Sequence, residues 1–300
     1  MNGGILAGRL GLNVPYGWFG AASLLKGFEA AGFESAGFES AQLPAPPADV
    51  LTNPADCARH AAAARTALDT GGLGAIVHGP TELRAGDRST DRIFEGLLSY
   101  AAELGAGHVV YHALNLPDSP ASQDSLLAET RSLAMLASRA ERLGVTIAIE
   151  NLAPVYPGPE RLSHTPLTLR TLVRKIGSER LGICLDIGHA NIVADLRHSE
   201  LADLIRPALD SVVLFHLHDN LGARRAGQEA AGLDPLLLDL HLPPGRGSLP
   251  WSRVAELLRE HRAPLVLEVH PPHRPPEARL HETTLGLLTA PEVPVGPVAA

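Results

Sequence analysis

The densest concentration of chemically competent side chains is Leu214-Phe-His-Leu-His-Asp-Asn220, followed by Asp239-Leu-His-Leu-Pro-Pro-Gly-Arg-Gly247. Three imidazoles (His216, His218, His241) and two carboxylates (Asp219, Asp239) gather there at the exit of one apolar strand and its loop. Such residue types hold a divalent metal at the mouth of an α/β barrel. The same grammar, an apolar strand closing on a ligand-type residue, recurs at Ala75-Ile-Val-His78, Val109-Val-Tyr-His112, Thr146-Ile-Ala-Ile-Glu150, Ile183-Cys-Leu-Asp186 and Leu265-Val-Leu-Glu268. One buried strand ending in a polar residue is common. Six in one chain need a shared explanation.

The elements that would position these residues alternate between short β-type runs and longer helical ones, the signature of βα units around a parallel sheet. Eight strands are expected, at Arg9–Val14, Glu39–Leu43, Gly74–His78, His108–His112, Thr146–Glu150, Gly182–Asp186, Ser211–His216 and Pro264–Glu268. Apolar residues three and four apart place helices at Ala21–Ala31, Ala55–Thr70, Thr90–Leu104, Ser122–Leu143, Leu167–Lys175 and Trp251–His261. Gly105, Gly144 and Gly177 follow helical stretches, where a left-handed C-terminal cap is expected. This rhythm predicts an α/β fold, a single (β/α)8 TIM barrel over residues 1–290, with a Pro-rich C-terminal tail at 291–300. The tandem five-residue repeat in Ala31–Ser40 is too short for a solenoid unit and reads as a local duplication at a helix-to-strand turn.

Composition narrows the chemistry. A formal charge of −8 and a pI near 5.9 leave no electrostatic footprint for nucleic acid. Cys57 and Cys184 are far apart and outside any CxxC spacing, which argues against a disulfide scaffold or thiolate zinc site and for a reducing, cytoplasmic setting. No apolar run reaches membrane-spanning length, and the N-terminus lacks the pattern of a signal peptide. Fourteen histidines beside four tyrosines and six phenylalanines is an unusual balance, and histidine is the commonest metal-binding side chain.

With the strand exits aligned, the chain resembles the xylose isomerase-like metal-dependent barrels, a superfamily of sugar isomerases, keto-sugar epimerases, inosose dehydratases and endonuclease IV. The resemblance spans strands one to eight. It implies a central divalent ion (Zn, Mn, Mg or Co) held by Glu150, Asp186, His216 and Glu268. His78 and His112 match ligands of another metal in endonuclease IV-like members, with Glu150 as the bridge, and His189, Asp239 and His241 match those of a third. One to three ions per chain follow. His218 shares strand parity with His216 and is both its alternative as ligand and a candidate for substrate contact. Arg246 stands where relatives often carry an acidic residue and would place a cation near the substrate.

The resemblance implies two main activities. In an isomerase or epimerase, Glu150 and Glu268 remove and return a proton through a metal-stabilised enediolate of a sugar, sugar phosphate or related polyol, with His189 hydrogen-bonded to the substrate. In a multinuclear zinc hydrolase or phosphodiesterase, ions sharing Glu150 activate a hydroxide. A lyase of specialised metabolism is a third class, its substrate chosen by the segment Leu221–Leu238 with Arg224, Arg225 and Gln228. Exit loops without interleaved aromatic and basic residues favour a small-molecule, sugar-like substrate over nucleic acid. Membrane attachment is not expected, and a homo-oligomer is compatible with the sequence.

Overall fold

In a computed structural model, residues 6–15, 36–223, 229, 232, 234 and 236–290 are described. The helix expected at Ala21–Ala31, most of the tandem repeat, Arg224, Arg225, Gln228 and the tail from 291 lie outside them. Eight parallel strands close into a barrel in sequence order: β1 (Leu10–Asn13), β2 (Ser40–Pro44), β3 (Gly74–His78), β4 (His108–Tyr111), β5 (Thr146–Glu150), β6 (Leu181–Asp186), β7 (Val212–Leu217) and β8 (Leu265–Leu267). The expected strand pattern thus holds, with no end shifted by more than one residue. His112 and Glu268 sit just beyond β4 and β8 rather than inside them.

Around the barrel run α1 (Ala48–Thr52), α2 (Pro54–Thr70), α3 (Arg88–Leu104), α4 (Gln123–Leu143), α5 (Pro166–Ile176), α6 (Ile187–Leu196), α7 (Leu201–Ile205), α8 (Trp251–Arg259) and α9 (Glu277–Thr289). Gly105, Gly144 and Gly177 end α3, α4 and α5 at positive φ, and their N–H groups close on carbonyls of the last turn. These caps match the sequence expectation. Helices α1, α6, α7 and α9 fall outside the helices expected from the sequence. All residues of α6 from Ile187 to Ala194 are buried, so it has no polar face to mark a helical period. The buried face of α9 is Leu280, Thr284 and Leu288, and a polar residue interrupts its apolar stripe.

Inside the barrel, Ile76, Val110, Ala148, Cys184, Leu214 and Val266 form an apolar layer. Side chains on a strand return to the same face every second residue. Two positions on from these six stand His78, His112, Glu150, Asp186, His216 and Glu268. The candidate donors therefore form the next layer up, at the carboxyl ends of the strands, where barrel enzymes place their chemistry. A register shift between Ile183 and Cys184 pairs Asp186 with His216 across β6 and β7. Among the described residues, no helix is long and apolar enough to cross a membrane.

Candidate metal centre

Among the described residues four groups of donor atoms lie within 4.8 Å of one another; one of them joins Cys184 of the apolar layer to Glu150 and His216, and the other three stand above that layer. The central group is Glu150, Asp186, His216 and Glu268; beside it stand His78, His112 and Glu150, and then His189, His218, Asp239 and His241. All nine sequence-identified ligand positions fall in these groups. Glu150 divides its oxygens between two of them: Oε1 is 3.2 Å from His216 Nδ1, and Oε2 is 3.2 Å from His112 Nε2 and 3.4 Å from His78 Nε2. His216 and His218 both point inward and both are fully buried. Their roles separate, because His218 Nε2 lies toward the third group, 3.7 Å from Asp239 Oδ1 and 3.1 Å from Asp186 Oδ1.

The imidazoles are held in defined tautomers. A carbonyl oxygen only accepts, so the ring nitrogen against it carries the hydrogen. His78 Nδ1 donates to Gly79 O at 2.8 Å, His189 Nδ1 to Asn151 O at 2.8 Å and His241 Nδ1 to Glu268 O at 2.7 Å. In each ring Nε2 faces a carboxylate, 3.2 Å from Asp239 Oδ2 for His189 and 3.1 Å for His241. His216 reverses the arrangement. Its Nε2 donates to Gln42 Oε1 at 2.8 Å, while Gln42 Nε2 donates to Glu268 Oε1. Locking one ring nitrogen to aim the other is how proteins orient metal-ligating histidines.

The carboxylates and imidazoles of these groups are strongly coupled to one another. Burial opposes charge on His216, but Glu268 and Glu150 overcome it and hold the imidazole up at about 9. His241 is likewise raised to about 9, burial being outweighed by Asp239. Burial works against the Glu150 carboxylate too, yet His216, His112 and His78 keep it well below its ordinary value. Asp239 is held well below by His189 and His241 against the same opposition. Among buried side-chain atoms with no hydrogen-bond partner are Glu150 Oε2, Asp186 Oδ2, His218 Nε2 and Asp239 Oδ1. An orphaned buried acceptor is costly. Glu150 Oε2 and His218 Nε2 lie 3.2 Å from His112 and 3.1 Å from Asp186 without hydrogen-bond alignment, and such donor atoms gathered in one anionic cluster fit divalent cations.

Several residues outside the anticipated ligand set complete the site. Gln42 sits on β2 at inward parity and is 2% exposed. A polar amide in a strand otherwise expected to be buried was the available signal. Asn151 locks Asp186 by a reciprocal pair, its Nδ2 donating to Asp186 O and its Oδ1 accepting from Asp186 N, both at 2.9 Å. Asp219 accepts from Asn220 N, Leu249 N, Gly245 N and Trp251 Nε1 at 2.8–3.1 Å, tying the loop that bears Asp239 and His241 to the end of β7. Gly247 packs against it so closely that an added Cβ would lie 2.3 Å from Asp219 Oδ1. Cys184 lies beneath Glu150, and burial, reinforced by Glu150, pushes its thiol well up, which keeps it a neutral core residue.

A cavity of about 190 Å³ opens above the donors, lined by Asn13, Gln42, Thr81 and His270 together with ligand-type residues. The His270 ring stacks on His241 at 5.0 Å. Arg246 is exposed and is not part of this lining. His218 is covered by its neighbours and lies below the cavity rather than on its wall. No Arg or Lys lines it among the described residues.

Comparison with known proteins places the chain. It is 30% identical over 162 residues to an uncharacterised protein of Methanocaldococcus jannaschii, covering 53% of this chain and 49% of that protein. It is 31% identical over 157 residues to a D-psicose 3-epimerase of Enterocloster bolteae, covering 52% of this chain and 44% of the epimerase. The matches thus span about half the length of these curated relatives. Among solved structures, a D-tagatose 3-epimerase-like protein superposes with a TM-score of 0.67 at 21% identity, over 93% of this chain and 96% of the other. A 3-keto-D-glucoside 4-epimerase from E. coli gives 0.68 at 18% identity, over 94% and 99%. The family described as xylose isomerase-like TIM barrel matches residues 31–289. On that match, and on the closed barrel it accompanies, the chain belongs to the xylose isomerase-like TIM-barrel family.

Proposed function

We propose that the protein is a divalent-metal-dependent isomerase or epimerase of a sugar or closely related polyol. The observation that carries this reading is the central group, in which Glu150 and Glu268 enter from different strand ends, share a neighbourhood with Asp186 and His216, and both border the cavity. The partial match to a D-psicose 3-epimerase supports it. Three oxygen donors and one nitrogen suit a hard or borderline ion such as manganese, magnesium or cobalt. When bound, such an ion polarises the adjacent oxygens of an α-hydroxy carbonyl and acidifies the C–H between them.

The chain's own residues supply the proton chemistry. Glu268 is oriented by Gln42, and Glu150 is held in its proton-accepting form by three imidazoles. The pair removes the proton as the C–H bond breaks and returns one to the adjacent carbon or to the opposite face. Asn13, Gln42, Thr81 and His270 offer neutral hydrogen-bonding groups along the wall, suited to hydroxyls. A wall without Arg or Lys among the described residues favours a free sugar over a sugar phosphate. Both ring nitrogens of His189 face protein partners, so we assign it to the third donor group rather than to the substrate.

A second reading rests on a specific observation: Glu150 joins the central group to His78 and His112, as a multinuclear hydrolase requires. The two readings separate in one experiment. Manganese- or zinc-loaded protein is incubated with D-psicose, D-tagatose and D-fructose in D2O, and in parallel with a chromogenic phosphodiester. Stereochemical change with one deuterium bound to carbon supports the isomerase. Phosphodiester turnover without deuterium uptake overturns it in favour of the hydrolase.

A further inference from the structure

Beside the mouth cavity lies a second one of about 310 Å³, between the loops that leave β2 and β3 and the N-terminal part of α3. The two are contiguous in their lining. His78 and Thr81 border both, and the β2 exit passes from one to the other, with Pro44 on the mouth cavity and Ala45 to Ala48 on its neighbour. The chemistry changes across that border. The mouth is walled mainly by amides, imidazoles and carboxylates, whereas the neighbour is walled mainly by Ala45, Pro46, Pro47, Pro80, Leu83 and Ile93. Among the described residues no Arg or Lys lines this chamber, and its single carboxylate, the exposed Glu82, accepts from the Thr81 hydroxyl at 3.1 Å.

The walls are also stiff. Proline fixes its own φ and holds the residue before it in extended backbone, and Pro44, Pro46, Pro47 and Pro80 stand at the two strand exits. Backbone bonds pin the same segments: Ala45 N donates to His78 O at 2.8 Å, Gly79 N to Val110 O at 2.9 Å and Leu83 N to Pro80 O at 3.0 Å. Apolar walls fixed in this way keep a chamber open before anything enters it, which lowers the cost of binding. Size points the same way. The mouth cavity alone, at about 190 Å³, lies below the roughly 300–1,000 Å³ of small-molecule sites, and the chamber brings the site within that range. A cavity of about 150 Å³ is enough to hold benzene, so the chamber takes an aromatic ring with room for its linker.

We infer that the substrate is a sugar carrying a neutral, apolar group of about ring size, its hydroxyl-bearing part at the central donors and its ring in the chamber beyond Thr81. The inference rests on the isomerase or epimerase reading and narrows it: the sugar is unphosphorylated, but it is not a bare monosaccharide. A bare sugar fills the polar mouth and leaves the apolar chamber in water. A charged substituent would enter a space with no cation and one carboxylate. An ether at either end of the carbon chain, by contrast, leaves free the carbonyl and the adjacent hydroxyl on which the proposed proton transfer depends.

The probes are D-fructose and its 1-O- and 6-O-(4-fluorobenzyl) ethers, which place the ring at one end of the carbon chain or the other. Fluorine NMR on the magnesium-loaded full chain reads binding, with D-fructose as competitor, and deuterium uptake on the manganese-loaded full chain reads turnover. One of the ethers should bind at least about 10-fold more tightly than D-fructose and react with a kcat/KM higher by at least about the same factor. Ala45→Phe and Ala48→Phe fill the chamber from its β2 side, and each should cut the ether-to-fructose ratio, in binding and in kcat/KM, by at least about 10-fold. Ethers that bind and react no better than D-fructose, or a ratio unmoved in both variants, would overturn the inference. Deuterium uptake from D-fructose with both ethers excluded would remove the chamber while leaving the proposed reaction standing. An ether bound tightly by the parent and lost in both variants, with no deuterium uptake from any of the sugars, would do the reverse.

Discussion

Asp219→Asn is the most informative single change outside the donor set. Asp219 is fully buried and accepts four hydrogen bonds, two on each carboxylate oxygen. An amide replaces one oxygen with a donor, so in either orientation two buried N–H groups lose their acceptor and face another N–H. Each unsatisfied buried donor costs about 1–3 kcal/mol, giving a loss of about 2–6 kcal/mol. At about 2–4 °C per kcal/mol for larger domains, the melting temperature should fall by roughly 4–24 °C. Trp251 reports locally, because its Nε1 loses the 2.8 Å bond to Asp219 Oδ2, and its emission should shift to the red. Any divalent ion held through Asp239 and His241 should be bound more weakly as well, since the freed loop carries both residues. A variant that melts within about 2 °C of the parent, with unchanged emission and metal content, would refute the role of Asp219 as anchor of that loop.

Glu268→Gln should lower kcat on an accepted sugar by about 10²–10⁴ while circular dichroism stays unchanged; full turnover would remove Glu268 from the proton transfer. Gln42→Leu leaves His216 Nε2 and Glu268 Oε1 without the partner they share, and manganese affinity should drop about 10–100-fold, measured by titration calorimetry; unaltered affinity would leave Gln42 a filler. His164 tests pH dependence at a residue outside the donor set. Burial, then Arg161 and His189, lower it to about 4 from an ordinary 6.5, so the unfolded chain binds the proton more readily and stability falls as pH drops from about 6.5 toward about 4. In His164→Gln that segment of the Tm–pH curve should flatten, and parallel curves for parent and variant would count against it.

Much of this was legible in the sequence because two periodicities coincide. A two-residue repeat fixes which face of a strand points inward, so Ile76 and His78, or Val266 and Glu268, had to share the barrel interior. That parity exposed the donors. It also left His216 and His218 equivalent, since both point inward; only the folded loop carrying Asp239 separates them into different groups. Helix α6 escaped because a helix buried all round has no amphipathic period. Gln42 escaped because a neutral amide carries no ligand signature, and its value lies in joining two residues distant in sequence. Arg246 was placed by its position within a motif, and its exposed side chain shows that loop direction cannot be read from such a position.

The apolar layer beneath the donors has a consequence for traffic. Ile76, Val110, Ala148, Cys184, Leu214 and Val266 are each at most 2% exposed, and together they seal the barrel from below. On the proposed function, an ion and its sugar would therefore reach the donors from the side of the mouth cavity. A sugar seated in the cavity would stand between the central ion and any chelator. Occupancy by substrate should then slow the escape of that ion, making metal retention itself a readout of binding.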